Sequence, residues 1–133
     1  WIQSPSGSTT TNIITLMGEA VDSTTQTINI VSGLQMRCYA YSSPINIQDT
    51  TFVTCGATSN ALYNNADQIS VWTNGGYQRY GLKTNSLWYP CNTLGQWLGA
   101  PANVNLDVSQ GFWYNAKKAF PWSETNKYLG NLR

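Results

Sequence analysis

The sequence predicts an all-β domain, a β-sandwich or open barrel of roughly eight to ten short antiparallel strands with at most one short helix. Three observations carry that expectation. Short β-branched and aromatic runs recur along the chain, and Gly-, Pro- or Asn-bearing turns separate them. No stretch keeps the long 3.6-residue apolar period of a helix. The third is composition: six Trp and eight Tyr stand on a polar background in which only 10% of residues are charged. Aromatic and β-branched side chains suit a pleated, half-buried surface. At 133 residues the chain makes one domain, large enough to build a core without metal or dense disulfides.

Residues 1–12 are almost all small and polar from Ser4 to Thr11, so they read as a flexible or subunit-exchanging N-terminal arm. Trp1 and Ile2 are apolar for a free end, and the start at Trp1 rather than Met reads as a processed or shortened form. Residues 13–133 form the single β domain. Its first run holds Ile13, Ile14, Leu16 and Met17. Thr27–Val31 alternates with period two, and Ser32-Gly33 is expected to turn it as a hairpin into Leu34–Tyr41. Within that strand Leu34, Met36, Cys38 and Ala40 share one face, the expected core face. Pro44 ends it. The short helix is expected between Ser59 and Gln68.

Ile69, Val71 and Trp72 form the next strand. Thr73-Asn74-Gly75-Gly76 supplies residues that accept positive φ, so Tyr77–Lys83 returns beside it as a hairpin. Leu87-Trp88-Tyr89 is a strand stopped by Pro90. Val104, Leu106 and Val108 alternate, Phe112-Trp113-Tyr114 is an aromatic strand, and Phe120 and Trp122 supply late apolar positions.

Composition narrows the chemistry. With no histidine in the chain, the side chain that titrates near neutral pH and most often binds zinc is missing. Serine and cysteine nucleophiles therefore lack their usual base. The acids Glu19, Asp22, Asp49, Asp67, Asp107 and Glu124 stand singly, and Asp67 is expected to cap a turn or pair with a donor. No phosphate loop, calcium loop or N-x-[ST] acceptor is present. The chain is read as a non-enzyme that takes no cofactor or metal. A formal charge of +1, with Lys117-Lys118 the only adjacent basic pair, gives no phosphate-binding stripe, so nucleic acid is excluded as a partner. No apolar run approaches the roughly 20 residues of a membrane helix, so no membrane insertion is expected in this form.

Three cysteines leave one unpaired if a disulfide forms. Cys38 with Cys55 closes the shortest loop and is the favoured pair, with Cys91 unassigned or left to bridge subunits.

Ala66-Asp67-Gln68-Ile69-Ser70-Val71-Trp72, Gly76-Tyr77-Gln78-Arg79-Tyr80, Trp88, then Val108-Ser109-Gln110-Gly111-Phe112-Trp113-Tyr114 and Trp122 follow one another in an order that resembles a widespread β domain of secreted bacterial surface proteins. Ile28 to Leu34 resembles its upstream hairpin, without the usual Asn after the Gly. The likeness spans about Ile13 to Trp122. It implies export, a sandwich-like fold and a place at the bacterial cell exterior. It carries over no catalytic residue.

Two functions are expected from these features. The first is a secreted structural protein, the subunit of an extracellular filament, pilus-like fibre or surface layer assembled from copies of itself. Low charge permits close self-association, and an arm holding Trp1, Ile2, Ile13, Ile14 and Leu16 is its expected assembly element. The alternative is a carbohydrate-binding or adhesin module that engages glycans through exposed aromatics. Trp88, Tyr89 and Trp97, in the loop-rich stretch, are its expected surface.

Overall fold

The computed structural model describes residues 24–73, 75–108 and 110–126. The expected arm and first run, with Trp1, Ile2, Ile13, Ile14 and Leu16, lie outside the described residues. Among those described, nine strands form three antiparallel sheets that do not close into a barrel, an all-β sandwich.

One long ribbon organises the fold. Strand β1 (Thr25–Ile30) pairs with β9 (Phe120–Thr125), and β2 (Gly33–Cys38) pairs with β8 (Gly111–Ala116). The expected hairpin between β1 and β2 is therefore not formed. Ser32-Gly33 is a corner at which the ribbon folds from one sheet into the next. Gly33 takes φ +100° there, a left-handed backbone that an L side chain rarely adopts. Two residues bridge the corner between β1 and β2, and three bridge it between β8 and β9. The unequal count is how a paired ribbon changes sheet, as bulged corners do in orthogonal packings. Ser32 Oγ donates to the Lys117 carbonyl oxygen at 3.4 Å across it.

The main sheet has five strands in the order β2-β8-β4-β5-β6, with β4 (Gln68–Thr73), β5 (Gly76–Leu82) and β6 (Trp88–Cys91). The β4–β5 hairpin stands as expected, with Thr73 opposite Gly76 and Gly75 at φ +87°. Pro90 lies inside β6 rather than after it, opposite Tyr80. It is tolerated because β6 is an edge strand, where a missing N–H faces away from the ladder. A third sheet joins the two-residue strands β3 (Ile45–Asn46) and β7 (Asn105–Leu106).

The core lies between the inner face of the main sheet and the other two sheets. Ile69, Val71, Tyr80, Leu82, Trp88, Phe112 and Tyr114 meet Ile30, Phe120 and Trp122 from one sheet and Ile45 and Leu106 from the other. At its centre is Phe52, on α1 (Phe52–Cys55), the one α-helix among the described residues, stacked on Trp122 at 4.2 Å between ring centroids. The Tyr114 ring lies 4.8 Å away. Aromatic pairs at these separations add to the area each ring buries. The expected helix between Ser59 and Gln68 is instead a single 3-10 turn at Tyr63–Asn65; its Asn-rich sequence favours turn-forming side-chain bonds over a helical ladder.

The β2 face is the reverse of that expected. Leu34 and Met36 are 68% and 53% exposed and Cys38 is exposed, whereas Gln35, Tyr39 and Tyr41 are buried. Gln35 tolerates burial because its amide donates to the Val31 carbonyl and accepts the Val31 N–H. Tyr41 donates to the Glu124 carbonyl oxygen at 2.8 Å. The Gln35 amide and the Tyr41 hydroxyl thus each have a partner, which removes the main cost of their burial.

Candidate functional site

With the inner face of the main sheet filled, its outer face is the feature to explain. Alternation sends Leu34, Met36 and Cys38 of β2 outward, and with them Trp113 and Asn115 of β8, Gln68, Ser70 and Trp72 of β4, and Tyr77 and Arg79 of β5. The registers stack these residues into rows across the strands. One row runs Met36, Trp113, Ser70, Arg79, Cys91, and the next runs Leu34, Asn115, Gln68, Gly81, Tyr89. In the first row small Ser70 sits between the Trp113 ring and the Arg79 side chain, so the sheet floor dips there.

Loops raise a wall beside the dip. Tyr63 and Asn64 of the 3-10 turn stand over one side with Thr93, Leu94 and Gly95. Gly81 sets how closely the wall approaches β5. A Cβ on Gly81 would meet Tyr63 Cδ2 at 2.7 Å and the Trp97 ring at 3.0 Å. Glycine is thus what lets those two rings lie on the strand. The result is a trough of about 460 Å³, in the size range of small-ligand sites.

The trough's aromatic side is held in place. The Trp113 indole N–H donates to the Tyr77 hydroxyl oxygen at 3.2 Å, and Tyr77 meets Trp72 edge-to-face at 5.0 Å. Trp72 and Tyr77 are each about half exposed, at 50% and 48%. The polar side is an amide chain: Asn115 Nδ2 donates to Gln68 Oε1 at 3.1 Å, and Gln68 Nε2 donates to the Tyr63 carbonyl oxygen at 2.9 Å. Burial pushes the Tyr63 hydroxyl above its ordinary pKa, as does the neighbouring Cys91, while the Arg79 charge opposes the shift. Tyr63 therefore stays neutral at physiological pH. Rings, amides, a hydroxyl and a guanidinium can stack and hydrogen-bond a ligand, but this is no nucleophile–base arrangement.

The expected aromatic surface divides. Trp88 is 1% exposed and belongs to the core, because β6 turns it inward beside Leu82, its register partner. Tyr89 and Trp97 do come together, 6.4 Å apart and edge-to-face, but Tyr63 packs on Trp97 and Lys83 Nζ lies 4.8 Å over the Tyr89 ring. The Trp97 indole N–H donates to the Ala61 carbonyl oxygen at 2.7 Å. These two rings brace the wall. The open aromatic face is Trp113, Tyr77 and Trp72, which the sequence places on strands without assigning them a face. The signal was parity within the aromatic strand: Phe112 and Tyr114 share one face and Trp113 takes the other.

The favoured disulfide is not formed. Cys38, Cys55 and Cys91 are all free thiols. Cys38 points from the outer face of the main sheet, whereas Cys55 lies on α1 against β9, where its sulfur accepts the Ser123 N–H at 3.4 Å. A sheet separates their directions. Cys91 is buried and donates to the Gln96 carbonyl oxygen at 3.0 Å; burial pushes its thiol above the ordinary value despite Arg79. Among the described residues no three of Cys, Asp and Glu gather as a metal site, and no helix is long and apolar enough to cross a membrane. Comparison with known protein families, characterised proteins and solved structures finds no match.

Proposed function

We propose that this domain is a glycan-binding module acting at the cell exterior, and that the outer face of the five-stranded sheet is its binding surface. The observation that carries the reading is the trough itself, with Trp113, held by Tyr77, on one side and the Asn115–Gln68 amide chain on the other. A pyranose ring has an apolar C–H face and a rim of hydroxyls. An aromatic face matches the first and oriented amides match the second. Pre-positioned rings lose little entropy on binding, which favours affinity from a shallow site. The extracellular setting is supported by the polar, weakly charged composition and by the resemblance to secreted surface domains.

The test is calorimetric titration of oligosaccharides selected on a glycan array. Trp113→Ala and Tyr77→Ala are expected to weaken binding by about tenfold or more, or roughly 1.4 kcal/mol, while Leu98→Ala, on an exposed loop, leaves it unchanged. Failure of every oligosaccharide to bind the folded domain overturns the reading.

Self-assembly into a filament keeps one observation in its favour: among the described residues β2 is an edge strand, and it exposes Leu34 and Met36. Such an edge is a template for pairing with another chain. Electron microscopy at neutral pH separates the two readings, since regular fibres are expected from one and dispersed particles from the other.

A further inference from the structure

We infer that the glycan held in the trough is anionic, and that Arg79 receives its carboxylate or sulfate group. The inference rests on the glycan-binding reading and narrows it to a substrate class. Arg79 is the only charged side chain lining the trough among the described residues. Its register partners place it one strand from Ser70 and two strands from Trp113. At about 4.8 Å per strand, a sugar ring stacked on Trp113 puts a ring substituent within reach of the guanidinium.

Two further observations point the same way. No hydrogen bond or ion pair to another described residue occupies the Arg79 side chain, so its donor fork remains available to a ligand. Acidic groups near the sheet are engaged elsewhere: Asp67 is enclosed on the inner side by Tyr114 and Lys117, and Glu124 accepts the Thr51 N–H at 2.6 Å. A guanidinium with no carboxylate paired to it among the described residues, beside a stacking ring, is complementary to a planar carboxylate or a sulfate, both of which it binds through paired N–H donors. A neutral sugar uses the ring and amides and leaves this charge unanswered.

The experiment titrates the full chain by calorimetry with three oligosaccharides of equal length: an oligogalacturonate, a sulfated galactan fragment and a neutral galactan fragment. Parent, Arg79→Gln, Arg79→Lys and Trp113→Ala are compared at about 50 mM and about 500 mM salt. At low salt at least one acidic oligosaccharide is expected to bind about tenfold more tightly than the neutral one. Which of the two wins distinguishes carboxylate from sulfate. Arg79→Gln is expected to erase that gap, Arg79→Lys to restore part of it, and Trp113→Ala to weaken every ligand. High salt narrows the gap wherever position 79 carries a cation, and has no gap to narrow in Arg79→Gln. Equal affinity for acidic and neutral ligands, or an acidic preference that survives Arg79→Gln, overturns the inference and leaves the glycan reading standing. No binding of any of the three, with the array also silent, overturns both.

Discussion

The Tyr114 hydroxyl donates a 2.8 Å hydrogen bond to Asp67 Oδ2, and both residues are completely buried. The second carboxylate oxygen accepts the Lys117 backbone N–H at 2.7 Å. One carboxylate thus ties the approach to β4 to the middle of β8 and to the corner that follows it. Burial is the largest influence on Asp67 and raises its pKa above the ordinary 3.8; donors from Lys117, Tyr114 and Thr58 oppose the shift without cancelling it. Tyr114 is raised as well, by burial first and then by the adjoining Asp67 charge.

A carboxyl with a folded pKa above its unfolded value binds more protons when folded. Its contribution to stability is fully present below the unfolded value near 3.8 and is lost as pH rises through the raised folded value. Asp67→Asn is expected to remove this slope from melting temperatures recorded between about pH 3 and pH 7. The Asn amide still accepts from Lys117 and donates to the Tyr114 oxygen. Asp67→Ala strips the acceptor from the buried Tyr114 hydroxyl and the partly buried Lys117 N–H and is expected to cost about 2–4 kcal/mol in urea unfolding. An unchanged pH slope in Asp67→Asn counts against this account.

Gly81→Ala is expected to destabilise the domain by about 1–3 kcal/mol, because the new methyl overlaps Tyr63 2.7 Å away. The displaced ring also lines the trough. Oligosaccharide affinity in the folded variant should therefore fall, read by titration well below the unfolding midpoint. Stability equal to the parent means the wall yields freely.

Gln48 stitches the loop before α1 to β6. Its Nε2 donates to the Trp88 and Ala102 carbonyl oxygens at 2.8 and 2.9 Å, and its Oε1 accepts the Trp88 N–H at 3.0 Å. Gln48→Ala is expected to cost about 1–3 kcal/mol, with faster hydrogen exchange at the Trp88 amide. Gln48→Glu keeps the acceptor but sets a carboxylate against two carbonyls. Acid pH is expected to recover part of its stability, since the protonated form regains one donor. An unaltered Trp88 exchange rate in Gln48→Ala places the restraint elsewhere.

Local chemistry made parts of this architecture legible. The β4–β5 hairpin could be read because Asn-Gly-Gly accepts the required backbone whatever surrounds it. Ser32-Gly33 misled for the same reason: a glycine in the left-handed region serves a hairpin or a sheet corner equally. Only the pairing of β1 with β9 and β2 with β8 decides between them. On β2, alternation defined two faces but not their direction. The more apolar face, with Leu34 and Met36, turned outward because Gln35 finds backbone partners and Tyr39 and Tyr41 fill the interior.

The candidate site followed the same division. Trp88 and Trp113 are equally aromatic and both flanked by strand formers, yet one is core and the other lines an open trough. Arg79 gave no sign of its importance until the register set it across Ser70 from Trp113.

By itself, the sequence determined an all-β domain, the place of its tight turns and the lack of histidine-based chemistry, because each depends on residue type and short spacing. Tertiary structure alone decided which face of each strand is buried, where the ribbon folds over, and which aromatic rings stay open. Those outcomes depend on contacts between residues such as Gly81, Tyr63 and Trp97, far apart in the chain and joined only when the sheets pack.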